Sequence, residues 1–331
     1  MSIAVALLPV LLLLVLLQLM DSFKLVRLRS VVIAIAAGGA AAVVCLSLHE
    51  AILSRVDIGP TPFTRYIAPL TEELCKSVFI VLLLWRHRIG FLVDAAVQGF
   101  AIGAGFALVE NVDYLRHLGD VGIGLWIVRG LGTAVLHGAT TALFAIVSKT
   151  LLERRTRHRP LALVPGFALA VGIHSAFNHL LLPPLAMTAL LLLVLPLVLV
   201  FVFQRSELTT RDWIGAGLDL DLELLDLVRS EHFAFTRFGR YLQELRDRFS
   251  GPVVIDMLCL LRLELELSVQ AKAMLLARES GLELPITSDL HDSFREIEYL
   301  RASIGRTGLL ALKPLQVTSG RDLWHRYLLA S

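Results

Sequence analysis

Seven stretches of this chain are each long and apolar enough to cross a bilayer, and nothing else in it limits the fold so strongly. About 20 apolar residues cover the hydrocarbon core. The stretches lie near residues 2–20, 31–53, 67–85, 90–112, 122–148, 161–181 and 185–204. The fifth is longer than a crossing needs, so it tilts or overhangs. Only 18% of the 331 residues are charged and 56% are hydrophobic, against roughly 25% charged in soluble domains. The expected fold is an all-α polytopic membrane helix bundle of about seven transmembrane helices over residues 1–204. A C-terminal cytoplasmic helical domain over 205–331 follows it. The first 20 residues lack a basic leader and a small-residue cleavage site, so they read as a retained helix rather than a signal peptide.

Lys/Arg bias sets the orientation. One set of loops carries Lys24, Arg27, Arg29, Arg86, Arg88, Lys149, Arg154, Arg155, Arg157 and Arg159. The opposite set carries Arg55, Arg65, Arg116 and Arg129. The basic loops are expected in the cytoplasm. That puts the N-terminus outside an inner or plasma membrane and the tail inside. Residues 1–204 hold 15 Lys/Arg and 10 Asp/Glu, whereas 205–331 hold 16 and 19. No basic patch is dense enough to point to nucleic acid.

The tail changes character at "QRSELTTRDW". "RFGRYLQELRDRF", "SDLHDSFREIEYLRASI" and "GRDLWHRYLL" show helical spacing of apolar residues. "LRLELELS" alternates as a strand would, but its residues are helix formers without β-branching, so it reads as helix. The length suits a small independent core that meets a cytoplasmic partner or serves assembly. His232, His291, His325 and Cys259 are scattered, and there is no glycine-rich phosphate loop. Cys45, Cys75 and Cys259 have no paired spacing, which argues against a disulfide framework or a zinc cluster of cysteines.

Ionisable residues inside spans mark function by default. Glu72, Glu73 and Lys76 lie on the third span, Asp94, Glu110 and Asn111 on the fourth. His137 lies on the fifth, and His174, Asn178 and His179 on the sixth. The first and seventh spans have none, which places them against lipid. At about 1.5 Å per residue, Glu72 and Glu73 sit roughly 20 Å above the inner face. On the same scale His137 sits at roughly 18 Å, His174 at roughly 21 Å and Glu110 near 30 Å. Convergence in the outer half suggests one site. Taken singly, each residue has a plainer reading. The glutamates could be first-turn acids on a helix dipole, with Lys76 paired to one of them. His137 could be an interhelical hydrogen bond. Asp94 reads as structural, within reach of Arg86 or Arg88. Gly99-x-x-x-Gly103 is a close-packing signature that could bring the Glu110 helix toward the third span, and "AAGGAAA" on the second span is similar.

Four motifs now stand in order on separate spans: "EELCK", "FALVEN", "LHGATTALF" and "HSAFN". They resemble EExxK, FxxxEN, a lone histidine and HxxxN. Their order resembles that of the PrsW family of intramembrane proteases, relatives of the CAAX prenyl proteases and the bacterial CPBP proteins. The resemblance covers about residues 30–200. It implies cleavage of single-pass membrane-anchored proteins, such as the first cut of an anti-sigma factor. It further implies that Glu72 or Glu73 is the general base on a water. His174 and Asn178 would bind the developing oxyanion. Glu110 and His137 would orient the water or protonate the leaving amine.

That chemistry is sound. A carboxylate in a dry site suits proton abstraction near neutral pH. Fixed polar donors stabilise an oxyanion. The metal-free glutamate mechanism is favoured, so no cofactor is expected. Two histidines and a glutamate also make a plausible zinc triad, but H-E-x-x-H is absent and the ligands would come from separate helices. A proton-coupled transporter would use similar buried groups, yet the spans show no internal symmetry. A non-catalytic membrane scaffold would not need the motifs intact.

Overall fold

The computed structural model describes residues 2–86, 88–117, 122–154, 160–282 and 290–315. Helices follow in the order α1 (Ser2–Leu19), α2 (Leu28–Leu53), α3 (Pro60–Pro62), α4 (Ala68–Trp85), α5 (Leu92–His117) and α6 (Ile123–Ile127). Then come α7 (Ala134–Arg154), α8 (Val164–Asn178), α9 (Pro184–Arg229), α10 (Arg237–Leu245), α11 (Gly251–Glu279) and α12 (Leu290–Leu312). Two π-helical segments, Phe63–Ile67 and Val128–Thr133, join α3 to α4 and α6 to α7. There is no strand among the described residues. The chain is an all-α polytopic bundle. Among the described residues five helices are long and apolar enough to cross a membrane: Leu28–Leu53, Leu92–His117, Ile123–Glu153, Pro160–Asn178 and Pro184–Arg229. Of the other two expected spans, α1 is a shorter apolar helix, and α4 carries Glu72, Glu73 and Lys76 within its 18 residues.

The chain divides into two compact units, Met1–Glu207 and Leu208–Ser331. In the first, α5 is the helix the others surround. Every residue from Val93 to Ala107 is buried, as expected of a helix apolar all round. It packs on α2 and α7, α7 packs on α8, and α4 closes the ring against α8 and α2. Glycine makes the close approaches possible. A Cβ on Gly103 would lie 2.1 Å from the His137 carbonyl oxygen, and one on Gly38 would lie 1.9 Å from the Ile102 oxygen. Gly99 likewise meets Thr141 and Ala142. The glycine stripe therefore draws α5 onto α7, not onto the third span as its spacing suggested. The α7 backbone that Gly103 admits is that of His137 itself.

The outer helices are not wholly lipid-facing. On α1, Ala6, Val10, Leu14 and Leu17 are buried at helical spacing, while Ile3, Leu12 and Leu19 are exposed. On α9, Leu195, Leu199 and Phe203 are buried, and Leu193 and Leu197 are exposed. Each helix has one packed stripe and one apolar free face. Asp94 also differs from expectation. Its Oδ2 accepts from the backbone N–H of Gly90 at 2.9 Å and of Phe91 at 3.0 Å, so it caps the start of α5 rather than pairing with an arginine.

In the second unit, Trp213, Ile214 and Leu225 from the end of α9 are buried, as are Met257, Leu260 and Leu275 of α11 and Leu300 and Ile304 of α12. α9 runs through residue 205 without a break, since "QRSELTTRDW" contains no helix breaker. "LRLELELS" is helical within α11, because burial there recurs every three to four residues. Lys272 pairs with Asp221 at 2.6 Å, both buried. Glu264 accepts from Arg301 at 2.7 Å. The expected helix at "GRDLWHRYLL", with His325, lies outside the described residues.

Candidate active site

The third span places its polar residues with a longer lever than its apolar run suggests. The Phe63–Ile67 π segment extends the helix toward the N-terminus, so α4 has no acidic residue in its first turn. Glu72 and Glu73 are therefore interior residues, and the dipole reading of them fails. Adjacent positions on a helix are about 100° apart, and the two glutamates meet different neighbours.

Glu73 is saturated. Its Oε1 accepts from Lys76 Nζ at 2.6 Å, Thr140 Oγ1 at 3.0 Å and His174 Nδ1 at 2.8 Å. Glu72 is the opposite case. Its Oε2 is buried with no hydrogen-bond partner. The nearest ring nitrogens are His174 Nε2 at 3.7 Å and His137 Nδ1 at 3.9 Å, both too far for a hydrogen bond.

The two histidines are held alike. His137 Nε2 lies 2.9 Å from Glu110 Oε2, and His174 Nδ1 lies 2.8 Å from Glu73 Oε1. A carboxylate accepts, so each of those nitrogens carries the hydrogen. The other nitrogen of each ring then presents a lone pair toward Glu72. At His137 that lone pair meets Lys76 Nζ at 3.0 Å. The rings themselves meet edge to face, 5.0 Å apart. Three acceptor atoms thus converge on a gap.

Of the residues singled out by sequence, Glu72, Glu73, Glu110, His137 and His174 meet in this one cluster. Glu110, counted nearer the outer edge than His137, nonetheless meets the His137 ring at 2.9 Å. Asn178 lies on the wall of the same cavity, one turn from His174, with its Nδ2 on the Thr64 carbonyl at 2.8 Å. His179 bonds its own helix at Ser175 O and faces the Tyr66 hydroxyl at 3.2 Å. The cavity of about 490 Å³ is lined by Glu72, Glu110, Arg129, His137, His174 and Asn178, among others.

Two members escaped sequence reasoning. Thr140 follows His137 by three residues, and that spacing was the available signal. Arg129 was counted as a loop charge, but it is 8% exposed and lies 3.2 Å from Glu110.

Glu72, His137 and His174 offer one ligand atom each, all within 4.8 Å of one another. Tetrahedral zinc, with bonds of about 2.0–2.2 Å, sets neighbouring donors roughly 3.4 Å apart. Each imidazole also has a carboxylate behind it, the arrangement that orients histidine ligands in zinc proteins. The orphaned Glu72 oxygen and the two lone pairs therefore suit a cation, with Lys76 Nζ the resident positive group at one corner.

A model of the PrsW family intramembrane metalloproteases matches residues 27–204. The chain belongs to the PrsW family. The matched region contains every side chain of the cluster and leaves out α1 and the second unit. Comparison with curated proteins and with solved structures returns no match. PrsW-family membership makes this a multi-pass membrane protease.

Proposed function

We propose that the chain hydrolyses a peptide bond of a single-pass, membrane-anchored protein, with the reacting water held between Glu72, His137 and His174. The unpartnered Glu72 Oε2, facing two imidazole lone pairs across a gap, carries this reading. A water in this gap has two hydrogens to give, one for Glu72 Oε2 and one for His174 Nε2, since the His137 Nδ1 lone pair already meets Lys76. Glu72 Oε2 has no other donor on it, so it is the atom that takes the water's proton. Glu73 serves a different purpose: it anchors Lys76, Thr140 and the His174 ring. Glu110 orients His137. Asn178, with one N–H on Thr64 and a second to spare, is placed to donate to a substrate carbonyl on the cavity wall.

The same three residues would hold Zn²⁺, which as a Lewis acid would acidify water and polarise the scissile carbonyl. His137 would then exchange its contact with Lys76 for the ion. The resemblance of the motifs extends the substrate class to anti-sigma factors. The chain's own residues support the coarser class, since the cavity lies among membrane helices.

Purified protein in proteoliposomes should cleave a membrane-anchored peptide, and Glu72→Gln should not. Proton flux without cleavage would instead support a transporter. Metal analysis of the active protein, with loss and recovery of activity on chelation and Zn²⁺ addition, separates the two uses of the gap.

A further inference from the structure

We infer that Arg129 is a positioning residue for this centre: held by Asn111 and by α1, it fixes the Glu110 carboxylate and, through it, the His137 ring. The inference rests on the reading of the Glu72–His137–His174 gap as the reacting centre.

Arg129 sits in the Val128–Thr133 π segment, a wide turn of the kind that recurs at functional sites. Its guanidinium lies over the Tyr114 ring, 3.4 Å from the centroid. Nε donates to Asn111 Oδ1 at 3.0 Å. Asn111 Nδ2 in turn donates to the Ala6 carbonyl of α1 at 2.8 Å. Nη2 lies 3.2 Å from Glu110 Oε2, the oxygen that His137 Nε2 meets at 2.9 Å. The neighbouring Gly130 brings the two elements together, since a Cβ there would lie 1.9 Å from the Val5 carbonyl oxygen. The line of contacts thus runs from α1 through Asn111, Arg129 and Glu110 to His137. Its first link lies outside residues 27–204, the part matched by the family model.

Three of the four links are hydrogen bonds, and the fourth, Arg129 Nη2 to Glu110 Oε2, is a buried ion pair without hydrogen-bond geometry. The planar guanidinium is fixed by stacking on one face and by Asn111 at one edge, so its Nη2 has little freedom. Its charge, held in one place, draws the Glu110 carboxylate to the position it occupies. That carboxylate decides which ring nitrogen of His137 keeps the hydrogen, and hence that Nδ1 offers its lone pair toward Glu72. Without Arg129, Glu110 would be free to swing into the cavity, and the His137 tautomer would rest on the Lys76 contact at Nδ1 alone. A charge buried only for stability would leave the tautomer alone.

The test uses the full-length protein in proteoliposomes with a membrane-anchored peptide, alongside NMR of ¹⁵N-histidine-labelled protein. The His137 signals are identified by their loss in His137→Gln. Arg129→Gln should lower kcat about 10- to 100-fold, the usual loss when a group behind a histidine is removed, with KM little changed. The His137 Nε2 signal should shift as its hydrogen bond to Glu110 loosens, with the Nδ1 signal moving less because Lys76 still donates to it. Arg129→Lys, which keeps the charge, should recover part of both. Asn111→Ser leaves both charges in place and cuts the tie to α1. It should shift the signals in the same direction, and it serves if Arg129→Gln does not fold. Unchanged kcat and unchanged His137 signals in the folded variants overturn the inference. So does a rise in KM with kcat intact, which would make Arg129 a substrate contact. The NMR result stands whether or not Glu72→Gln still cleaves, so failure of the centre and failure of this inference are read separately.

Discussion

Glu72 and Glu73 are chemically alike and adjacent, yet one has a buried oxygen with nothing on it and the other has an oxygen that accepts three hydrogen bonds. That difference predicts different failures. Glu72→Gln should accumulate normally, keep its thermal midpoint and lose cleavage by about 100-fold or more, the scale of general base catalysis. Glu73→Gln removes the charge that Lys76 meets at 2.6 Å, where both side chains are at most 2% exposed. An uncompensated buried charge costs about 3–5 kcal/mol, so this variant should lose stability as well as activity, visible as a lower melting temperature in detergent. If the two variants behave the same in both assays, the roles given to the pair are wrong. Lys76 makes a third case. Its Nζ bridges Glu73 and His137 at 2.6 and 3.0 Å, so Lys76→Met should lower stability and activity together.

The helices bring these side chains together through close backbone contact more than through polar bonds. Gly103 admits the His137 backbone, and any larger residue must separate α5 from α7. Gly103→Ala should therefore destabilise by about 1–3 kcal/mol, as overpacking does, and should depress cleavage by shifting His137 against Glu110. Gly172→Ala on α8, where a Cβ meets nothing within 4 Å, is the control: it should leave cleavage unchanged and, as a helical glycine replaced by alanine, should not lower stability. Much of this was legible in the sequence because lipid leaves little choice. A glutamate or histidine in an apolar run needs a partner, and so Glu72, Glu73, Glu110, His137 and His174 announced themselves. Which helix approaches which was not legible, since Gly99 and Gly103 signal closeness without naming a neighbour. The π segments were invisible because nothing in "FTRYI" or "VRGLGT" specifies an extra residue per turn. Arg129 was misplaced for that reason: near a span's end an arginine looks like a loop charge unless Asn111, Tyr114 and Glu110 are known to wait for it. Asn178 was legible as a partner of His174 at four residues' spacing, but its tie to Thr64 was not.

At the scale of the whole chain, moving Arg129 from loop to interior sharpens the charge asymmetry, leaving Arg55, Arg65 and Arg116 opposite ten basic loop residues. The orientation we propose puts Asp57 outside and the second unit in the cytoplasm. A membrane-impermeant maleimide should label Asp57→Cys on intact cells and reach Cys259, exposed in that unit, only after permeabilisation; the opposite pattern inverts the topology. The second unit has its own buried residues, including Trp213, Asp221 and Leu225 from the far end of α9, and its own buried ion pair, Asp221–Lys272. The boundary at Glu207 falls beyond Leu199, Val202 and Phe203, the last buried apolar residues of the first unit. A chain ending at Glu207 therefore keeps the packed stripe of α9 and the whole site. It should insert, accumulate and retain its melting temperature. If the second unit receives a cytoplasmic partner, as we propose, the shortened protein will cleave a minimal membrane-anchored peptide at the full-length rate in proteoliposomes. In cells it will cut its substrates at a different rate or in a different order. Equal cleavage in cells removes the regulatory role, and failure to accumulate makes the unit an assembly element instead.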